Sequence, residues 1–232
     1  MSATRRDVAV QNGREPTRMI VFVDAGEGAR ERLAAASQSA VIAAVVLVGS
    51  GSSSFARGGA ADLLAGIRQS GAVALIADDV DLALSLAADG VHLSDGPDAE
   101  ERYVAARTKL GKSALIGVDC GGSRHVAMTT AEAGADYVAF GPVATDEDPS
   151  GSEIQLDLVH WWAEIFETPC AALGVCDAAN ARLLADEGAD FIAAALTVGC
   201  SPAAGAEVVR SIAEAITGLS DKAGSIGGRP PI

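Results

Sequence analysis

Aromatic residues are scarce in this chain of 232 residues. They make up 4% of it, with two Trp, two Tyr and five Phe, too few for the stacking surfaces that hold single-stranded bases. Basic residues are scarce as well: 17 Lys and Arg stand against 31 Asp and Glu, for a formal net charge of −14. Such a surface repels phosphate backbones and anionic lipid heads over about a Debye length, ~8 Å in physiological salt, so neither nucleic acid nor a membrane is expected as partner. No apolar run approaches the ~20 residues of a membrane helix. After Arg5 and Arg6 come Gln11, Asn12, Arg14 and Glu15 rather than the apolar segment of a signal peptide. The four cysteines, Cys120, Cys170, Cys176 and Cys200, form no CxxC pair and no zinc-type spacing, and are expected as reduced thiols in or near the core of a cytoplasmic protein.

What is plentiful is small and aliphatic. Hydrophobic residues reach 49% and glycines number 26, the diet of parallel strands and close-packed helices. Short apolar runs bounded by turn residues recur eight times: MIVFV from Met19, VIAAVVLV from Val41, AVALIA from Ala72, GVHL from Gly90, ALIGV from Ala114, YVAFG from Tyr137, CAALGV from Cys170 and FIAAAL from Phe191. Helix-forming segments such as GARERLAAASQ, DAEERYVAARTKL and QLDLVHWWAEIF lie between them. The alternation predicts an α/β fold, a (β/α)8 TIM barrel in one domain over 19–219, with flexible tails at 1–18 and 220–232. A doubly wound sheet is the alternative, but no Gly-rich phosphate loop follows the first run.

A weak repeat supports the barrel. AADGVHL at Ala87, AGADYVAF at Ala133 and EGADFIAA at Glu187 each place a small-residue turn before an apolar strand. The glycine is expected to supply the left-handed helix end, and Asp89, Asp136 and Asp190 to bond turn amides.

In a barrel, chemistry gathers at the carboxyl ends of the strands. That rule selects Asp24, the Gly49 to Gly59 loop, Asp78, Asp95, Asp98, Asp119, Gly141 to Ser152, Gly174 to Asp177 and Thr197. The set is acidic, and neighbouring carboxylates raise one another's pKa, bind cations or splay into water.

The stretches ALIADDVDLALSLAADGVHLSD, ALIGVD, EAGADYVAFGPV and CAALGV with NARLLADEGADFIAAAL, over about Ala72 to Val198, resemble the thiamine phosphate synthase and thiazole tautomerase family of (β/α)8 barrels. The resemblance implies a condensation of a hydroxymethylpyrimidine pyrophosphate with a thiazole phosphate, assisted by Mg²⁺, on small phosphorylated heterocyclic substrates. It implies Asp78 as a metal ligand beside Ala77, where the family carries Asn, with Asp95 or Asp98 as the second metal carboxylate. It also implies Gly141, Gly174 and Thr197 as contacts for the phosphorylated substrates, and Asp119 in the place of a family serine.

The basic half of the family pattern is thin. Val46 to Val48 replace its Gln-x-Arg, Asp146, Glu147 and Asp148 replace its donors, and Arg57 is the only cation expected within reach of a pyrophosphate. Gly121 stands where the tautomerase carries His. No catalytic residue is assigned, and two classes stay open: a family enzyme with a rearranged site, or a non-catalytic barrel acting as a binding or regulatory protein. His92 reads as a barrel residue bonded to a neighbour, and Trp161 with Trp162 as helix packing or a contact in a homo-oligomer.

Overall fold

The computed structural model describes residues 15–49, 57–143 and 150–223, apart from the side chains at 57–58 and 219–223. Eight parallel strands close in chain order: β1 (Arg18–Asp24), β2 (Ala44–Val48), β3 (Val73–Ala77), β4 (Gly90–Leu93), β5 (Leu115–Asp119), β6 (Tyr137–Phe140), β7 (Cys170–Ala172) and β8 (Phe191–Leu196), with β8 pairing back onto β1. Helices follow each strand in turn: α1 (Ala29–Ser39), α2 (Arg57–Ser70), α3 (Val80–Ser85), α4 (Ala99–Leu110), α5 (Arg124–Glu132), α6 (Ser152–Ile165), α7 (Ala178–Asp186) and α8 (Pro202–Ala223). The expected barrel is therefore present and the open sheet is not. Its ordered elements pass the bounds read from sequence, starting at Arg18 and ending at Ala223.

The strands read as unbroken aliphatic runs because both faces are buried. Val21, Val45, Ile76, Val91, Ile116, Val138 and Ile192 point outward into the layer shared with the helices. The alternate residues line the bore, and most are small: Ala44, Ala77, Ala139, Ala171 and Ala193 stand beside Ile20, Val46, Leu75 and Tyr137. Run lengths overshoot in two places. β2 begins at Ala44 rather than Val41, which is 91% exposed, and β7 stops at Ala172, ahead of the left-handed turn at Gly174 (φ 72°).

The thiols divide. Cys120 and Cys170 are buried as expected, while Cys176 is exposed and Cys200 half-buried; Cys176 sits in the loop between β7 and α7. Trp162 is buried against Phe140 and Phe166, and the Arg124 guanidinium lies 4.6 Å from the Trp161 ring. Helix packing thus accounts for the tryptophan pair. No helix among the described residues is long and apolar enough to cross a membrane.

The repeated turn does more than end a helix. Asp89 Oδ2 accepts from Ala74 N, Asp136 Oδ2 from Ile116 N and Asp190 Oδ2 from Cys170 N, each at 2.8 Å. Each carboxylate therefore accepts from an amide in the first two residues of the preceding strand rather than from a turn amide, and staples neighbouring strands at the amino end of the barrel. Gly134 (φ 101°) and Gly188 (φ 104°) take the left-handed position in two copies, but Ala87 (φ 50°) takes it in the first. A Cβ in that region costs about 1 kcal/mol or more, and Arg68 donates to the carbonyls of Leu86 and Ala87 to hold the turn. Ala87→Gly is expected to stabilise the fold by about 0.5–1 kcal/mol in urea denaturation, whereas Gly188→Ala is expected to destabilise it.

Candidate functional site

The carboxyl-end mouth has two sides of different character. On the β1, β2, β7 and β8 side lies a cavity of ≈ 300 Å³ lined by Phe22, Asp24, Val48, Leu173, Gly174 and Thr197, among others. Its walls are almost wholly apolar side chains and strand backbone, with Asp24 the one carboxylate among the lining residues. The loop after β1 is pinned by buried Arg32, which donates to the carbonyls of Asp24 (2.8 Å) and Glu27 (2.7 Å). Asp24 Oδ1 is buried yet has no hydrogen-bond partner among the described residues. A buried acceptor without a partner is costly, and Asp24 is among the residues that line the cavity.

Gly174 keeps this wall low. A Cβ on it would meet the Pro142 ring at 3.1 Å, and its φ of 72° suits glycine. Gly141, just before Pro142, faces open space. Of the expected substrate contacts, Gly174 and Thr197 therefore share the cavity, Gly141 lies beside it through Pro142, and Ala77 is buried in the bore.

The β3, β4 and β5 side is polar. Asp78 follows β3 with φ 57°, a left-handed conformation uncommon for a residue other than glycine. Its Oδ1 accepts from Ser94 N (2.9 Å) and from Arg102 Nη2 (2.6 Å), and its Oδ2 from Ser94 Oγ (2.6 Å). Arg102 Nη1 closes the ring by donating to Ser94 O at 2.8 Å. Asp119, at the end of β5, accepts from Gly121 N at 2.9 Å; burial pushes its carboxyl above the ordinary aspartate value, with the charges of Asp95 and Asp78 adding to the rise. Asp95 sits over Gly121, where a Cβ would come within 2.7 Å of its Oδ2. Asp98 opens α4 at φ 56° and makes no capping bond.

The expected metal site does not fit this arrangement. Among the described residues no three His, Cys, Asp or Glu side chains gather to hold a metal ion, and both oxygens of Asp78 are already engaged by Ser94 and Arg102. Mg²⁺ takes oxygen ligands at about 2.0–2.1 Å in near-ideal octahedral order, and to reach Asp78 it would have to displace the Arg102 charge or share the oxygens with these donors.

The described part of the mouth holds a cation besides the expected Arg57: α4 carries Arg102 back over the loop after β4. The signal was a cation in the opening turns of a helix, beside Glu100 and Glu101, where the helix dipole disfavours positive charge. Arg57 itself begins α2, with its side chain outside the described residues, as are Asp146, Glu147 and Asp148.

Inside the bore, His92 Nδ1 and the Tyr137 hydroxyl share a hydrogen bond of 2.8 Å, and the His92 ring stands edge-on to Phe22 at 4.9 Å. The reading of His92 as a barrel residue bonded to a neighbour holds. Burial lowers its pKa to about 4, against a small opposing pull from Asp78, and burial raises that of Tyr137.

A closed barrel with a cavity and a polar cluster at the carboxyl end is the arrangement of (β/α)8 proteins that bind or transform small ligands at the mouth. Comparison makes the class specific. The family model described as thiamine monophosphate synthase matches residues 29–198. The thiamine-phosphate synthase of Erythrobacter litoralis is 45% identical over 124 residues, 51% of this chain and 56% of that protein. That of Rhodospirillum centenum is 39% identical over 154 residues, 65% of this chain and 72% of the other. A solved thiamine phosphate pyrophosphorylase from Pyrococcus furiosus superposes with a TM-score of 0.66 at 25% identity, covering 90% of this chain and 97% of that one. The chain belongs to the thiamine monophosphate synthase family. Its match spans a little over half the length of the Erythrobacter relative.

Unfolded His92 protonates near 6.5, whereas in the fold it stays neutral to about 4. Between those values the unfolded chain binds the extra proton, so stability drains away as pH falls from 6.5 toward 4, by about 3 kcal/mol in all. Urea denaturation at pH 7 and pH 4.5 should show wild type losing more stability than His92→Gln, in which this contribution is absent.

Proposed function

We propose that this chain condenses a hydroxymethylpyrimidine pyrophosphate with a thiazole phosphate to form thiamine phosphate, at a turnover well below that of a barrel with more basic groups. The observation that carries the reading is the mouth cavity bearing Asp24, Gly174 and Thr197 in a chain whose family match runs over residues 29–198. In this reaction the bond from the pyrimidine methylene to the pyrophosphate oxygen breaks, and its electron pair leaves with pyrophosphate. The thiazole nitrogen then supplies the pair for the new carbon–nitrogen bond.

The residues divide the work by chemistry. Gly174 leaves backbone open to a phosphate oxygen, and the Thr197 hydroxyl can donate to it, while the apolar wall takes a heterocyclic ring. The open oxygen of Asp24 suits an amino or ring N–H donor. Asp95 and Asp119 supply negative potential across the mouth, and a carboxylate about 5 Å from a developing cation contributes about 3 kcal/mol at an effective dielectric near 20. The same potential opposes the departing pyrophosphate. With each charge-assisted bond to phosphate contributing about 1.5–3 kcal/mol, losing two or three cations lowers turnover on the order of 10³-fold.

Incubating the protein with both phosphorylated substrates and Mg²⁺ and quantifying thiamine phosphate tests the reading. Product is expected at a rate on the order of 10³ below that of a fully basic relative, falling about tenfold further in Asp24→Asn. Tight binding of thiazole phosphate with no product above background would favour the non-catalytic barrel, and an ordinary family turnover would refute the charge argument.

A further inference from the structure

We propose that Arg102 is the resident cation of the mouth, occupying the carboxylate that a divalent ion would need, so that this protein does not take up Mg²⁺ through Asp78. The geometry is a closed ring. Asp78 Oδ1 meets Arg102 Nη2 at 2.6 Å, Arg102 Nη1 meets Ser94 O at 2.8 Å, and Ser94 returns its N–H and Oγ to the two oxygens of Asp78 at 2.9 and 2.6 Å. No oxygen of Asp78 lacks a protein donor.

Neighbouring residues are shaped to this pairing. Asp78 adopts φ 57° as it presents its carboxylate, and such strain persists where surrounding contacts hold it. Gly96 lets the guanidinium lie close, since a Cβ there would sit 3.2 Å from Arg102 Nη1. Arg102 stands fourth in α4, near the positive end of the helix. Its position is therefore opposed by its own helix and set by Asp78.

A guanidinium differs from Mg²⁺ in ways that matter at this corner. It brings one charge rather than two and cannot be chelated away. While Arg102 holds Asp78, the other expected metal carboxylates do not close a site with it: Asp95 lies over Gly121 and Asp98 opens α4, and no three potential ligands gather among the described residues.

The test uses the full chain and Mg²⁺ alone, with no substrate, which separates this proposal from the success or failure of the condensation assay. Titration calorimetry of wild type should give no saturable Mg²⁺ binding up to about 5 mM, a concentration at which a working two-carboxylate site with waters would be loaded. Arg102→Gln, which frees Asp78, should acquire binding that Arg102→Gln with Asp78→Asn loses again. Saturable binding to wild type that disappears in Asp78→Asn overturns the proposal, as does a folded Arg102→Gln that gains none. If Arg102→Gln does not fold by circular dichroism, the comparison of wild type with Asp78→Asn still decides: binding lost in Asp78→Asn refutes the proposal, and its absence from wild type upholds it.

Discussion

Closure of the barrel rests on how a few large side chains fill a bore otherwise lined by alanine and glycine. Gly117 leaves the space that the Tyr137 ring occupies, since a Cβ there would come within 2.0 Å of it, and a Cβ on Gly90 would reach the Leu115 backbone at 1.8 Å. Tyr137 then crosses the bore to His92, whose other face meets Phe22. A close-packed interior tolerates neither a void nor an extra methyl at these positions. The buried pair is satisfied because each partner is the other's hydrogen bond, which keeps histidine neutral where a charge would be expensive.

That filling sets the floor of the mouth cavity. Phe22 belongs to both the aromatic group of the bore and the wall of the mouth cavity, so the cavity begins where the packed interior ends. Above it the mouth is split by charge and by polarity. One wall is apolar, with Asp24 the one carboxylate among its lining residues. The opposite corner is ionic, with Asp78 matched by Arg102 and, among the described residues there, Asp95 close enough to Asp119 to raise its carboxyl further.

The fold was legible because a parallel strand buried on both faces writes itself as an aliphatic run, and eight such runs were counted before the barrel closed them in order. Asp89, Asp136 and Asp190 were legible as turn residues, but their true partners lie one strand over in the sheet, a relation no local spacing contains. Ala87 escaped because glycine was expected at its left-handed position. The acids of the mouth were visible as strand-end residues. What sequence could not show was which of them had a partner: Arg102 looked like one more charge on the face of α4, and only the path of that helix brings it to Asp78. Asp24 was visible as a position and silent as a role, since an unpaired oxygen is a property of packing.

The account turns on where positive charge comes from in this mouth. A crystal structure of the protein soaked with Mg²⁺ and inorganic pyrophosphate measures that directly. If Arg102 is the resident cation, any bound Mg²⁺ will be carried by pyrophosphate oxygens and water, with the guanidinium still on Asp78 and Ser94. A Mg²⁺ ion ligated by the Asp78 carboxylate, with Arg102 displaced from it, would contradict the account.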